Sequence, residues 1–217
     1  MNYNVTLKNL AWFEFYSWYG RNFINSKPSL KANRNKTILN LGCGENIIDG
    51  YINADFYNSL NFFRKSNKRL QWCLDLRFPL ECPDNTFDGV YTEHTLEHLY
   101  PHEVKNLLSE LFRVMKKGSI IRISVPDINK YVKFYNDNNS VEIEFKNSFS
   151  SGCDAIRNVT QNYFHHSVWN ISEMSKFLVD AGFMDINEST FNNSVDSSLN
   201  IDLKDREWES LYIEARK

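Results

Sequence analysis

Short apolar segments recur along the first 126 residues in an order that few architectures can bury. They are "TILNL" (37–41), "YINAD" (51–55), "LQWCLDL" (70–76), "FDGVYT" (87–92) and "IIRISVP" (120–126). Runs this short, rich in β-branched and aromatic residues, read as strands. Between the last two, residues 101–115 place Val104, Leu107, Leu108, Leu111, Phe112 and Met115 on one helical stripe. Lys116, Lys117 and Gly118 then read as the helix stop. Strands separated by such a helix predict an α/β domain with a largely parallel sheet, in which ligands collect at the carboxyl ends of the strands.

The rest of the chain fits around that unit. Residues 7–23, "LKNLAWFEFYSWYGRNF", predict an aromatic helix, and "NSKPSLKANRNK" (25–36) predicts a linker. From 127 to about 165 the pattern breaks into an Asn-, Ser- and aromatic-rich stretch too long for an ordinary connection. Such an insertion, 127–170, is expected to cover a site. A helix over 171–181 closed by Gly182, a strand over 184–190 and a last strand in "WESLYIEAR" (208–216) complete one domain of 217 residues, with residues 1–35 as its N-terminal helix and linker. Trp12, Phe13, Phe15, Tyr16, Trp18 and Tyr19 could make a lid, a dimer face or an interfacial anchor, but simple packing is the commonest fate of such a helix.

Bulk properties exclude several classes. A net charge of -2 gives no global attraction to nucleic acid, and no cationic stripe accompanies the aromatics. Cys43, Cys73, Cys82 and Cys153 form no metal-like pair, and no charged leader precedes an apolar signal core, so a reducing, cytoplasmic setting is expected. No apolar run approaches the roughly 18 residues of a spanning helix, so no stable membrane insertion is expected.

Gly42 and Gly44 directly follow the first strand, and a missing Cβ there lets a ligand press against backbone. Asp55 ends the second strand, where a carboxylate can accept both hydroxyls of a ribose. A dinucleotide site would need a third glycine where Ile47 stands. Glu93, past the fourth strand, could face the positive end of a cofactor or cap the next helix. The letters "HTLEH" (94–98) match the HxxEH pattern of some zinc peptidases. A catalytic zinc would need a third ligand beside a long regular helix, whereas Pro101 follows soon after, so no metal is expected.

In order, "LNLGCG", "NADF", "CLDL", "FPLECPDNTFDGVYTEHTLEHL" and "LFRVMKKGSIIRISVPD" resemble the class I S-adenosylmethionine-dependent methyltransferases over about residues 37–127. Within that class the chain is similar to type-11 enzymes of surface-polysaccharide biosynthesis, whose tails resemble "HHSVWNISEMSKFLVDAGF" and "ESLYIEARK". The resemblance implies a Rossmann-like three-layer sandwich whose mostly parallel sheet ends in an antiparallel strand. It implies S-adenosylmethionine with its methionine part over Leu41, Gly42, Cys43 and Gly44, ribose at Asp55 and Phe56, and adenine at Asp75 and Leu76. Asn40 departs from the family's acidic residue, and 44–51 is short for a crossover helix.

The resemblance also implies methyl transfer to an oxygen of a small acceptor, a sugar, sugar nucleotide or related glycan precursor. A hydroxyl acceptor needs a base, and His94, His165, His166 and Asp127 are the candidates. Transfer to nitrogen or to another small metabolite, a nicotinamide-dependent oxidoreductase, and a non-catalytic protein that binds cofactor or protein partners through the aromatic helix stay open, as does a homodimer formed through that helix.

Overall fold

The computed structural model describes residues 7–24, 26–30, 36–56, 70–137 and 141–217. The elements are α1 (Leu7–Phe23), β1 (Ile38–Leu41), β2 (Ile52–Asp55), β3 (Trp72–Cys73), β4 (Phe87–Glu93), α2 (Pro101–Val114), β5 (Met115–Pro126), α3 (Ile128–Asn136), α4 (Ile143–Ser148), α5 (Gly152–Gln161), α6 (Ile171–Ala181), β6 (Met184–Ser189) and β7 (Ser210–Arg216). Seven strands form one sheet in the order β3-β2-β1-β4-β5-β7-β6. The pairs among β1 to β5 are parallel, and β7 runs antiparallel to both neighbours. This is the sheet the sequence predicts, with the antiparallel strand at the chain's end.

α2 and α6 cover one face. The stripe Val104, Leu107, Leu108, Leu111 and Val114 is fully buried against Leu39, Leu41, Val90, Ile121 and Ile123, and α6 adds Met174 and Leu178. Gly182, at φ +100°, ends α6 in a left-handed turn beside Phe112. The predicted helix stop at 116–118 takes another form. α2 ends at Val114, and Met115 already pairs with Phe87 in β5. The next pair is Gly89 with Ile120, so 116–119 bulge out of the strand, with Gly118 at φ +83° and Lys116 bonded to Asp88.

No helix joins β1 to β2, as the short 44–51 segment predicts; a buried amide network holds the crossover instead. Asn40 donates to the carbonyl of Asn46 and to Asn53 Oδ1, which also accepts the Ile48 N–H. Asn53 donates to Ile48 O and to Gln71 Oε1, reaching the start of β3. Both asparagines are at most 2% exposed. A carboxylate at Asn40 would have no proton to donate to these acceptors, which is the physical reason this chain carries the amide.

The insertion is more regular than its sequence pattern suggests. α3, α4 and α5 close on a small core of their own, Tyr131, Phe134, Phe145, Ala155 and Val159. Expected packing of the aromatic helix is also corrected: α1 turns Trp12, Phe15, Trp18 and Phe23 outward, at 45–61% exposure. It docks through Ser17 on Asp75, Glu14 on Arg77 and the Phe13 ring on Phe56. Among the described residues no helix is long and apolar enough to cross a membrane.

On the sheet's other face Arg122 is fully buried, and all five of its donors are satisfied, by Asp202 through Nε and Nη2, Glu214 and Ser189 through Nη1, and Thr190 O through Nη2. The side chain therefore fastens β5 to β7 and to the 190–202 loop. Arg122→Met removes the one cation paired with these two buried carboxylates among the described residues, and urea denaturation is expected to show a loss of about 3–5 kcal/mol. A loss under about 1 kcal/mol, the level of an exposed pair, contradicts this role.

Candidate active site

The carboxyl ends of β1, β2, β4 and β5 meet at one edge, where the order of strands reverses between β1 and β4. After Leu41 the backbone turns sharply. The N–H groups of Gly42 and Cys43 both donate to Ala54 O, at 2.8 and 3.1 Å, while Gly42 sits at φ +68° and Gly44 at φ +51°. Asp55, at the end of β2, accepts the N–H of Gly44 on Oδ2 and that of Phe56 on Oδ1. Burial pushes the Asp55 carboxyl up, against the pull of those two N–H bonds.

The two glycines serve different purposes. A Cβ on Gly42 would lie 2.1 Å from Thr95 Oγ1, so this glycine makes room for the protein's own side chain rather than for a ligand. A Cβ on Gly44 would meet nothing within 4 Å. The open space the sequence assigned to both belongs to Gly44. Cys43 is buried, and its thiol and that of Cys73 are pushed up by burial, Cys73 to about 11, so neither supplies a thiolate.

Phe56 stacks on Phe13 of α1 with ring centres 4.6 Å apart. Asp75, just past β3, is occupied: it accepts from Arg77 Nε, Nη2 and N and from Ser17 Oγ. Burial raises the Asp75 carboxyl, but the Arg77 and Ser17 hydrogen bonds outweigh it and leave the group below the usual range. Leu76 packs half-buried against the main core. The expected adenine-binding pair thus lies where α1 folds over the ends of β2 and β3. Glu93 is half-buried and accepts the Leu203 N–H at 3.1 Å, and burial pushes its carboxyl up to about 7. It caps no helix.

The base candidates separate clearly. His94 adopts φ +45°, and its buried ring places Nε2 2.7 Å from Ser210 Oγ and Nδ1 3.5 Å from Glu97 Oε1. Burial pushes its pKa down to about 3, so it is neutral at pH 7. His165 donates Nδ1–H to Val159 O at 2.8 Å. His166 stacks on Tyr100, 4.3 Å away, and its backbone N–H bonds Glu97 O. Asp127 ends β5, caps α3 through Asn129 N and lines a cleft of about 420 Å³. Burial pushes its carboxyl up.

The insertion helps to wall that cleft, through Lys130, Glu142 and Glu144. Glu188 and Glu207 add to its carboxylates, Lys204 is the second lysine, and Phe191, Trp208 and Tyr212 supply rings. Ser210 also lines it, linking the cleft to His94. A wider cavity, about 550 Å³, lies at the amino ends of the strands around Lys36, Asp88 and Ile120. It is at the opposite end of the sheet from the glycine turn, and Lys36–Asp196 and Lys116–Asp88 pairs neutralise much of its charge. Ser210 and Trp208 were not legible as site residues, because nothing nearby in sequence marks them. Glu97 was in view only as a letter of "HTLEH".

The contrast between the glycines is measurable. Gly42→Ala combines a left-handed φ with an overlap on Thr95 and is expected to cost on the order of 3 kcal/mol, whereas Gly44→Ala carries the φ term alone, about 1 kcal/mol. Equal losses in urea denaturation would remove the distinction.

Comparison with known proteins agrees with this frame. A type-11 family model described as a methyltransferase domain matches residues 39–123, from β1 into β5. Among solved structures, the chain is similar to a SAM-dependent methyltransferase from Archaeoglobus fulgidus, at 19% identity and TM-score 0.53, over 94% of each chain. An S-adenosylmethionine-dependent methyltransferase from Mesorhizobium loti matches at 16% identity and TM-score 0.51, over 87% of this chain and 94% of its own. A SAM-dependent methyltransferase from Thermotoga maritima, described as a possible histamine N-methyltransferase, matches at 14% identity and TM-score 0.51, over 97% of this chain and 94% of its own. The glycine turn, the acidic end of β2 and the seven-strand order thus belong to a chain with the Rossmann-like class I methyltransferase fold.

Proposed function

We propose that this protein is an S-adenosylmethionine-dependent methyltransferase acting on an oxygen of a small acceptor, a sugar hydroxyl in surface-glycan assembly. The observation that carries the cofactor is the glycine turn strapped to Asp55 at the edge where β1 and β2 end. The residues fit the group. Gly44 faces open space, and each Asp55 oxygen accepts one backbone N–H, which leaves lone pairs for two ribose hydroxyls. Leu41 to Gly44, Asp55 and Phe56 would hold the methionine and ribose parts, Asp75 and Leu76 would border the adenine, and Glu93 stands at the end of the neighbouring strand. The bound cofactor supplies an electrophilic methyl group on a sulfonium.

The chain's own work is then alignment and proton removal. Holding the acceptor oxygen in line with the methyl group lowers the barrier by removing orientational freedom, worth several kcal/mol. Of the four base candidates, Asp127 alone lines the cleft, and its raised carboxyl is the better proton acceptor for it. His94 lies behind Ser210, and its lowered pKa makes it a weak base. Rings beside several carboxylates suit a neutral polyol, whose faces stack and whose hydroxyls donate. A sugar nucleotide would keep its phosphates outside this acidic wall.

The excess of carboxylates over lysines in the cleft also favours a second reading, transfer to the nitrogen of a cationic amine. Labelled methyl transfer to neutral glycosides and to amines separates the two. Label in glycosides supports the first, and label confined to amines replaces it.

Asp127→Asn keeps the helix cap and removes the base, so kcat is expected to fall about 10²- to 10⁴-fold with cofactor affinity unchanged. Asp55→Ala should show the reverse, a cofactor affinity about tenfold weaker or worse by calorimetry, since a hydrogen bond to a charged group contributes about 1.5–3 kcal/mol. Unchanged affinity in that variant removes the ribose assignment.

A further inference from the structure

One buried group has no use in the reading above. Glu97 is 1% exposed, and neither of its carboxylate oxygens has a hydrogen-bond partner among the described residues. A carboxylate left this way costs several kcal/mol unless a cation or a proton compensates it. Two imidazoles stand close to it: His94 Nδ1 at 3.5 Å and His98 Nε2 at 4.0 Å from Oε1.

A third imidazole arrives from the insertion. The N–H groups of His166 and Ser167 both donate to Glu97 O, at 2.7 and 3.1 Å, and Ser167 Oγ donates to Leu96 O. This docking brings the His165 ring to 4.9 Å from that of His98, edge to face. Because Val159 O can only accept, His165 carries its proton on Nδ1 and presents the Nε2 lone pair. A ring nitrogen fixed to a backbone carbonyl in this way is the usual outer support of a metal-binding histidine.

We propose that Glu97, His98 and His165 form a site for one divalent transition-metal ion, zinc foremost. One donor atom from each lies within 4.8 Å of the others. Donors on a shared tetrahedral zinc stand about 2.0–2.2 Å from the metal, so any two of them are separated by about 3.4 Å. The remaining approach falls to His98, whose side chain is 42% exposed. Two imidazoles and one carboxylate select a first-row transition metal over magnesium or calcium, which prefer all-oxygen sites.

The arrangement is not that of the zinc peptidases resembled by "HTLEH". There, two histidines one helical turn apart bind the metal, and the intervening glutamate is the base. Here His98 lies in a three-residue 3-10 turn, His94 aims Nε2 at Ser210, the glutamate is itself a ligand, and the third ligand, absent from the motif, is His165, 67 residues further on. An ion at this point would fasten the end of the insertion to the end of β4, bracing the wall of the acceptor cleft. The proposal stands apart from the methyltransferase reading, because cofactor binding and metal binding are measured separately.

The test uses the full chain, stripped with a chelator, dialysed and titrated with Zn²⁺ by calorimetry, with Co²⁺ as a visible-absorption probe. One equivalent of zinc should bind with micromolar or tighter affinity, and cobalt should give d–d bands. Glu97→Gln, His165→Asn and the exposed-site variant His98→Asn should each weaken zinc at least tenfold, while His102→Asn, on α2, should not. Zinc bound equally by all four variants would overturn the assignment, as would its absence from a folded wild-type chain. If Glu97→Gln or His165→Asn fails to fold, the result with His98→Asn decides.

Discussion

The crossover from β1 to β2 has no helix to hold it, so the carboxylate of Asp55 and the amides of Asn40 and Asn53 do so instead. Each of these polar groups is withdrawn from water and each finds backbone partners, so the turn is fixed by what it would cost to leave them unpaired. Everything at the site is referenced to that turn. It fixes the left-handed glycines, sets the distance from Thr95 and leaves the Gly44 backbone facing open space.

Charge is placed just as deliberately at the other end of the site. Arg122 neutralises Asp202 and Glu214 beneath the C-terminal strands and so keeps β5 and β7 in register where their ends frame the cleft. The cleft itself is lined by an excess of carboxylates, which on the proposed reading would repel anionic acceptors and favour neutral or cationic ones. Ser210 joins this cleft to His94 and, through it, to the buried Glu97 cluster. The proposed acceptor cleft and the proposed metal site therefore share one wall.

Local patterns carried most of the fold. α1, α2 and α6 and the strands of the sheet were legible because their apolar residues recur at helix or strand spacing over uninterrupted segments. The insertion was not. Its helices are short, and the residues of their shared core, such as Tyr131, Phe145 and Val159, are too widely spaced for one window to reveal a period. The start of β5 was misread for a related reason: two lysines and a glycine look the same at a helix end and in a bulge until the pairing with β4 is known. In the site, Gly42, Gly44 and Asp55 were legible from spacing. Thr95 against Gly42 and Ser17 on Asp75 were not, since each depends on a contact across more than 50 residues of chain. Likewise, "HTLEH" could show two histidines and a glutamate but not that the Glu97 carboxylate is buried with unpaired oxygens among the described residues.

The central claim is that the turn after β1 and the carboxylate ending β2 together bind an adenosyl sulfonium. A crystal structure of the chain soaked with S-adenosylhomocysteine tests it most directly. Both ribose hydroxyls on Asp55, with the amino-acid arm along the Gly44 backbone, is the result the account predicts. A ligand held elsewhere on the sheet, or a turn that admits none, would contradict it.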